Sequence, residues 1–161
     1  MSNGSAVESR LAELGLELPA VAAPVAAYVP AVVTGSWVHT SGQLPFVAGE
    51  LPATGKVSAS GAEGTVSPEA AKELAARAAL NAVAAVKDRI GDLDRVVRIV
   101  KVVGFVASEP GFTGQPGVVN GASELLGRIF GDAGVHARSA VGVAVLPLDS
   151  PVEVELVAEF G

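Results

Sequence analysis

The segment between Ser67 and Gly91 restricts the fold more than any other part of the chain. Ser67 can cap a helix, Pro68 suits its first position, Glu69 falls in its first turn, and Gly91 stands just past its end. Leu74, Ala78, Asn81, Ala82, Ala85 and Val86 form a narrow inward stripe along it. Glu73 lies four residues before Arg77, a spacing that predicts a supporting ion pair. A stripe made largely of alanine has no bulk to bridge a gap. The helix must therefore lie close against something flat, such as a sheet.

The rest of the chain supplies that sheet. Ala31 to Thr34 and Trp37 to Thr40 are β-prone runs joined by Gly35-Ser36, which reads as a hairpin. Around Val96 to Val106, Arg95, Arg98 and Lys101 recur every three residues, a helical spacing. The segment's filling is Val, Ile and Phe, however, and this β-branched enrichment predicts a buried strand. A second helix is expected from Gln115 or Val118 to Phe130, stopped by Gly131. Two strands, Arg138 to Leu146 and Val152 to Glu159, close the chain across Pro147-Leu-Asp-Ser-Pro151.

At the N-terminus, Ser5 and Glu8 have capping-box spacing ahead of Leu11, Leu14 and Leu16, which predicts a short extra helix ending before Pro19. Pro24 and Pro30 bracket Tyr28 in an extended or irregular stretch, and the Gly/Ala/Ser/Pro-rich run from Pro45 to Ser67 reads as a long surface loop that is either mobile or functional. The order β-β-α-β-α-β-β, without internal repeats, predicts an α+β fold with helices on one face of a mixed sheet and the other face open.

If the last two strands form a hairpin with 145 opposite 152, Val141, Val143 and Val145 share the helix-covered face with Val152, Val154 and Leu156. Arg138, Ala140, Gly142 and Ala144 then lie beside Glu153, Glu155, Val157 and Glu159 on the open face.

Composition narrows the function. The chain has 161 residues, the size of one domain spanning 1–161. Half of it is hydrophobic and 17% is charged, which excludes disorder. So apolar a surface predicts an oligomer. The net charge of −6 argues against a nucleic-acid footprint. The absence of cysteine excludes disulfides and thiolate metal sites, and two histidines cannot build a metal site by themselves. Val96 to Ala107 is interrupted by Arg98 and Lys101, so no membrane span is expected, and MSNGSAVESR lacks a signal-peptide pattern. A cytoplasmic location is the expectation.

Phosphate loops and serine-hydrolase elbows are missing, since Gly111-Phe-Thr-Gly114 has no downstream Gly-Lys and no Gly-x-Ser-x-Gly occurs. His39 reads as an ordinary strand histidine, while His136 stands at a loop-to-strand junction where it could reach a ligand. Arg138 opens a Val/Ala-rich strand, where it either grips an anion or pairs with an acid such as Glu153 or Glu159. Glu153 and Glu155 read first as the solvated face of an edge strand.

Several segments, in collinear order from about Tyr28 to the C-terminus, resemble the Rid (YjgF-like) family of reactive-intermediate deaminases. They are Val38-His-Thr-Ser-Gly-Gln-Leu-Pro45, Ala78-Ala-Leu-Asn81, Gly91-Asp-Leu-Asp-Arg-Val96, Val119-Asn120, Ala137-Arg-Ser-Ala-Val-Gly-Val-Ala-Val-Leu-Pro147 and Val152-Glu-Val-Glu155. The resemblance implies a chorismate-mutase-like fold and a homotrimer whose sheets form an inner barrel, with clefts between subunits. It also implies cofactor-independent hydrolysis of enamines or imines, such as 2-aminoacrylate, to 2-keto acids and ammonia. By position, Arg138 would hold a small ligand's carboxylate and Glu153 would orient water. Tyr28, Ser41, Gly42, Asn120 and Ala140, the last through its backbone N–H, would line the pocket. The helix within 1–19 and the 45–67 loop are additions relative to compact members and resemble a longer-loop branch. Two rival readings are a non-catalytic trimer binding 2-keto or amino acids and an endoribonuclease, the latter disfavoured by charge.

The hairpin assumption sets Arg138 opposite 159, six positions from Glu153, or about 20 Å along the strand. A working Arg138–Glu153 pair is therefore expected to join neighbouring subunits.

Overall fold

A computed structural model describes residues 4–21 and 27–161, so Pro24 lies outside the described residues. Helix α1 (Ala6–Glu13) starts where Ser5 Oγ accepts the Glu8 amide at 3.3 Å. The return half of the capping box is not made: the Glu8 carboxylate pairs with Lys87 instead. Asp94 does the rest of the capping from 87 residues away or more, accepting from the Ala6 and Val7 amides at 2.8 Å and from Ser5 Oγ at 2.7 Å. One carboxylate thus satisfies donors that a helix start leaves orphaned.

These bonds, first the one from Val7, hold the Asp94 carboxyl below its usual range. Stability tied to a lowered carboxyl is present above the ordinary carboxylate range and is lost as pH falls through the lowered value. Asp94→Asn should therefore free the first turn of α1, read as faster amide exchange at Ala6, Val7 and Glu8 with little change at the sheet. Unchanged exchange at those amides would contradict this role.

Strands β1 (Ala31–Thr34) and β2 (Trp37–Thr40) form the expected hairpin, turning at Gly35 with φ of 57°. Helix α2 runs Pro68–Ile90 with Ser67 Oγ accepting from Ala70 N, and Gly91 follows at φ 84°. Strand β3 is Val96–Ala107, α3 is Gln115–Phe130, β4 is Ala137–Val143 and β5 is Val152–Phe160. The sheet order is β1-β2-β5-β3-β4. β3 and β4 pair in parallel through the α3 crossover, and the other neighbours are antiparallel.

The closing strands do not form a hairpin. β4 stops at Val143 rather than Leu146 and lies on the outer edge of β3, while β5 runs down β3's other side, pairing Phe105 with Glu153 and Val102 with Leu156. Two features of the connection explain this. Leu148 and Asp149 both have φ of 57°, and Ser150, fully buried, ties its Oγ to Val152 O. Ala107 N also bonds to Pro151 O, which carries the chain past the end of β3.

The changed partner reverses the faces. Val102, Gly104 and Val106 align with Arg138, Ala140 and Gly142 on one side, and with Leu156, Val154 and Val152 on the other. Arg138, Ala140 and Gly142 therefore face the helices. Val141 shares the open face with Phe105 and Glu153, and Ser139 with Val103 and Glu155. Nor is β5 an edge strand, since it lies between β2 and β3.

Both long helices cover the face of Val102 and Leu156. Of the anticipated stripe, α2 buries Leu74, Ala78, Ala82, Ala85 and Val86 while Asn81 is only half-buried, and it buries Ala71, Ala75, Ala79, Leu80 and Val83 as well, because α3 flanks it as the sheet lies beneath. Their approach is close enough that a Cβ on Gly121 of α3 would run into the Lys72 carbonyl of α2. Arg77 does not pair with Glu73: its Nε donates to Phe46 O at 2.9 Å. The 45–67 segment contributes Val57 and Val66 to a second apolar cluster with Leu74, Val106, Val118 and Val152, and Val57 N bonds to Ala107 O at 2.7 Å.

Candidate active site

The residues singled out from the sequence fall into two groups on opposite faces of the sheet. The first is built on α3 and β4. Arg138 extends over the helix face, where Nη1 donates to Asn120 Oδ1 at 2.7 Å and to Ser123 Oγ at 3.2 Å, and Nη2 donates to Pro116 O at 3.3 Å. All three acceptors are neutral. Neither Glu153 nor Glu159 pairs with it, and among the described residues Arg138 has no carboxylate partner. Of its five N–H protons, Nε–H and one on Nη2 stay unused, which matches the two oxygens of one carboxylate. Ala140 lies next along this face, half-buried against the second apolar cluster.

Sequence reasoning passed over Ser123 and the Pro116 carbonyl. Ser123 was within reach of such reasoning, because it stands three residues after Asn120 and so on the same helix face. His136 does not point away to a separate ligand. It bonds to Ser123 Oγ through Nε2 at 2.9 Å and to Gly134 O through Nδ1 at 2.6 Å. An open concavity of about 310 Å³ is lined here by Ser123, Gly127, Gly134, Val135, His136 and Arg138.

The second group is built where the chain leaves β2. Gln43 N bonds to Val154 O at 2.8 Å and Val154 N to Gln43 O at 3.0 Å, which lays Gly42 directly on the Glu153 side chain. A Cβ at Gly42 would collide with Glu153 Oε1 and Cδ, so any other residue there would displace the Glu153 carboxylate from its present place. Ser41 Oγ donates to Val29 O at 2.6 Å and Ser41 N to Pro30 O at 2.8 Å, tying in the segment that carries Tyr28, itself 64% exposed. Burial, and secondarily the charge of Glu155, push the Glu153 carboxyl above its usual range. Among the described residues it has no cationic partner.

Within one chain the two groups stay apart. Arg138 and Glu153 sit two strands and three residue levels from each other, about 14 Å between Cα atoms by strand geometry, and their side chains leave opposite faces. The sequence-based separation of about 20 Å along a hairpin had a different cause. His39 is exposed on β2 opposite Val157, and so on the same sheet face as Glu153. Among the described residues no cluster of His, Asp and Glu could hold a metal ion, and no helix is long and apolar enough to cross a membrane.

A mixed five-stranded sheet with paired helices on one face defines a chorismate-mutase-like α+β protein. More particularly, the chain belongs to the family described as "YjgF/chorismate_mutase-like, putative endoribonuclease", whose model matches residues 8–160. Protein TCP17 of Trypanosoma cruzi is 48% identical over 158 residues, covering 96% of this chain and 94% of that one. The crystal structure of Atu1372 from Agrobacterium tumefaciens superposes with a TM-score of 0.86 at 41% identity, covering 96% of this chain and 92% of the other. That of a Shewanella oneidensis MR-1 protein bearing the same endoribonuclease description superposes at 0.88 with 38% identity, covering 96% and 99%.

Proposed function

We propose that the chain hydrolyses small carboxylate-bearing enamines and imines, of the 2-aminoacrylate kind, to 2-keto acids and ammonia without a cofactor. It does so as a homotrimer whose clefts join Arg138, Asn120 and Ala140 of one subunit to Tyr28, Ser41, Gly42 and Glu153 of the next. The observation that carries this reading is the complementary incompleteness of the two groups. One is a guanidinium held by neutral acceptors with two protons to spare; the other is a half-buried carboxyl without a cation. The exposed Val141, Val145 and Val135, at 43%, 65% and 68%, give a second surface something to cover.

The chemistry asks little of the protein. An enamine tautomerises to an imine whose carbon is already electrophilic. Water adds to that carbon, and the resulting carbinolamine expels ammonia to leave the ketone. Arg138 fixes the substrate by its carboxylate, and Glu153 takes a proton from the attacking water and returns one to the departing nitrogen. A carboxyl shifted upward is better matched to both transfers near neutral pH than an ordinary one.

The test generates imines in situ from several amino acids with an amino-acid oxidase and follows semicarbazone formation. The protein should suppress trapping. Glu153→Gln should lower kcat by about 10²- to 10³-fold, within the range general acid–base groups supply, while KM stays within a factor of about three. Full activity in Glu153→Gln would remove Glu153 from the chemistry, no suppression by the wild type would leave only ligand binding to Arg138, and salt-sensitive cleavage of RNA in place of suppression would favour the endoribonuclease description.

A further inference from the structure

We propose that Ser123 and His136 are positioning residues that set the orientation of the Arg138 guanidinium toward its carboxylate ligand. The inference rests on Arg138 as the carboxylate anchor, and its argument begins at Gly134. A carbonyl oxygen only accepts, so the 2.6 Å contact from His136 Nδ1 to Gly134 O places a proton on Nδ1. In the neutral ring Nε2 is then a bare acceptor, and the Ser123 hydroxyl at 2.9 Å must donate to it. With its only proton directed at the imidazole, Ser123 Oγ turns lone pairs toward Arg138 Nη1 at 3.2 Å. The polarity of the whole chain, from Gly134 through His136 and Ser123 to Arg138, is fixed at its first link.

That first link is rigid. Gly134 is buried, and a Cβ there would collide with the Leu126 carbonyl of α3, so its backbone sits directly on the helix. Asn120 and Ser123, three residues apart on α3, occupy both Nη1 protons. Nη1 is thereby removed from ligand binding and the free protons are confined to Nε and Nη2. Without His136, the Ser123 hydroxyl can donate to a carbonyl one turn back in its own helix and lose its set polarity toward Arg138. Ser123 is not a nucleophile in this arrangement: it lies mid-helix, where neighbouring backbone N–H groups are engaged and no oxyanion cradle exists.

The experiment compares Ser123→Ala, His136→Leu, His136→Asn and His136→Gln by two readouts. The first is NMR of the Arg138 guanidinium, identified by its loss in Arg138→Lys. Separate, slowly exchanging Nη signals are expected in the wild type, and averaged ones in Ser123→Ala and His136→Leu. Glutamine offers an acceptor near the Nε2 position and should restore separate signals, whereas asparagine replaces only the Nδ1 donor and should not. The second is imine hydrolysis, where Ser123→Ala and His136→Leu should raise KM about tenfold with kcat within twofold, the loss of one hydrogen bond to a charged group.

Wild-type guanidinium signals in both Ser123→Ala and His136→Leu would overturn the proposal, as would His136→Gln behaving like His136→Leu. Ser123→Ala deletes a single atom from a partly exposed helix position, so folding does not confuse the result. If instead Arg138→Ala hydrolyses imines normally, the functional reading fails, while the guanidinium signals still decide whether the brace exists.

Discussion

Arg138→Ala should reduce kcat/KM for imine hydrolysis by about 10³-fold, because two charge-assisted hydrogen bonds to one carboxylate, each worth roughly 2 kcal/mol, disappear together. Arg138→Lys should recover little of this, staying about 10²-fold below wild type. Lysine keeps the charge, but its single ammonium cannot satisfy Asn120, Ser123 and Pro116 and still present two parallel donors. Neither change should unfold the chain, since Arg138 lies half-exposed on the outermost strand and makes no ion pair among the described residues. The measurement is suppression of semicarbazone formation with imines of differing side chains. A substrate ester lacking the negative carboxylate should be hydrolysed equally slowly by wild type and Arg138→Ala. Activity of Arg138→Ala within tenfold of wild type would remove the carboxylate anchor from the mechanism.

What could be read from the sequence, and what could not, follows the range of the interactions. The ends of α2 are legible because Ser67, Pro68 and Gly91 act within a turn of where they stand. The turn at Gly35-Ser36 is equally local. Pairing is another matter. Val141, Val143, Val152 and Val154 alternate alike whether β4 meets β5 or β3, so the choice of neighbour is invisible in the pattern. Once β4 took the parallel place on β3, every side chain on it changed face relative to the hairpin reading, and Arg138 moved to the helices.

The site was readable only in fragments for the same reason. Arg138, Asn120, Ser41, Gly42 and Glu153 stand out by resemblance, but the residues that hold Arg138 come from a helix 15 to 22 positions away. The failed Glu73–Arg77 pair makes a related point. An exposed ion pair on a helix is worth a few tenths of a kcal/mol, while a partly buried carbonyl such as Phe46 O needs donors, so Arg77 and Asn81 both go there.

The strongest test of the divided site mixes two inactive proteins. If each cleft takes Arg138 from one subunit and Glu153 from its neighbour, Arg138→Ala and Glu153→Gln trimers are each inactive for different reasons. Unfolded together and refolded at equal amounts, they form mixed trimers by chance. A cleft is intact when its arginine comes from a Glu153→Gln chain and its glutamate from an Arg138→Ala chain, one half multiplied by one half, or about a quarter of all clefts. Activity should therefore rise from near zero to about a quarter of wild type, and it should follow the product of the two fractions as the mixing ratio varies. The separation within one chain makes the alternative equally definite. Two strands of lateral distance and opposite faces keep Arg138 and Glu153 from meeting unless the sheet itself rearranges. A site assembled inside one subunit would give no recovery at any ratio. A recovered signal that still failed to follow the product rule would mean that Glu153 acts from the same subunit in some clefts, and the opposed-face geometry would have to be abandoned.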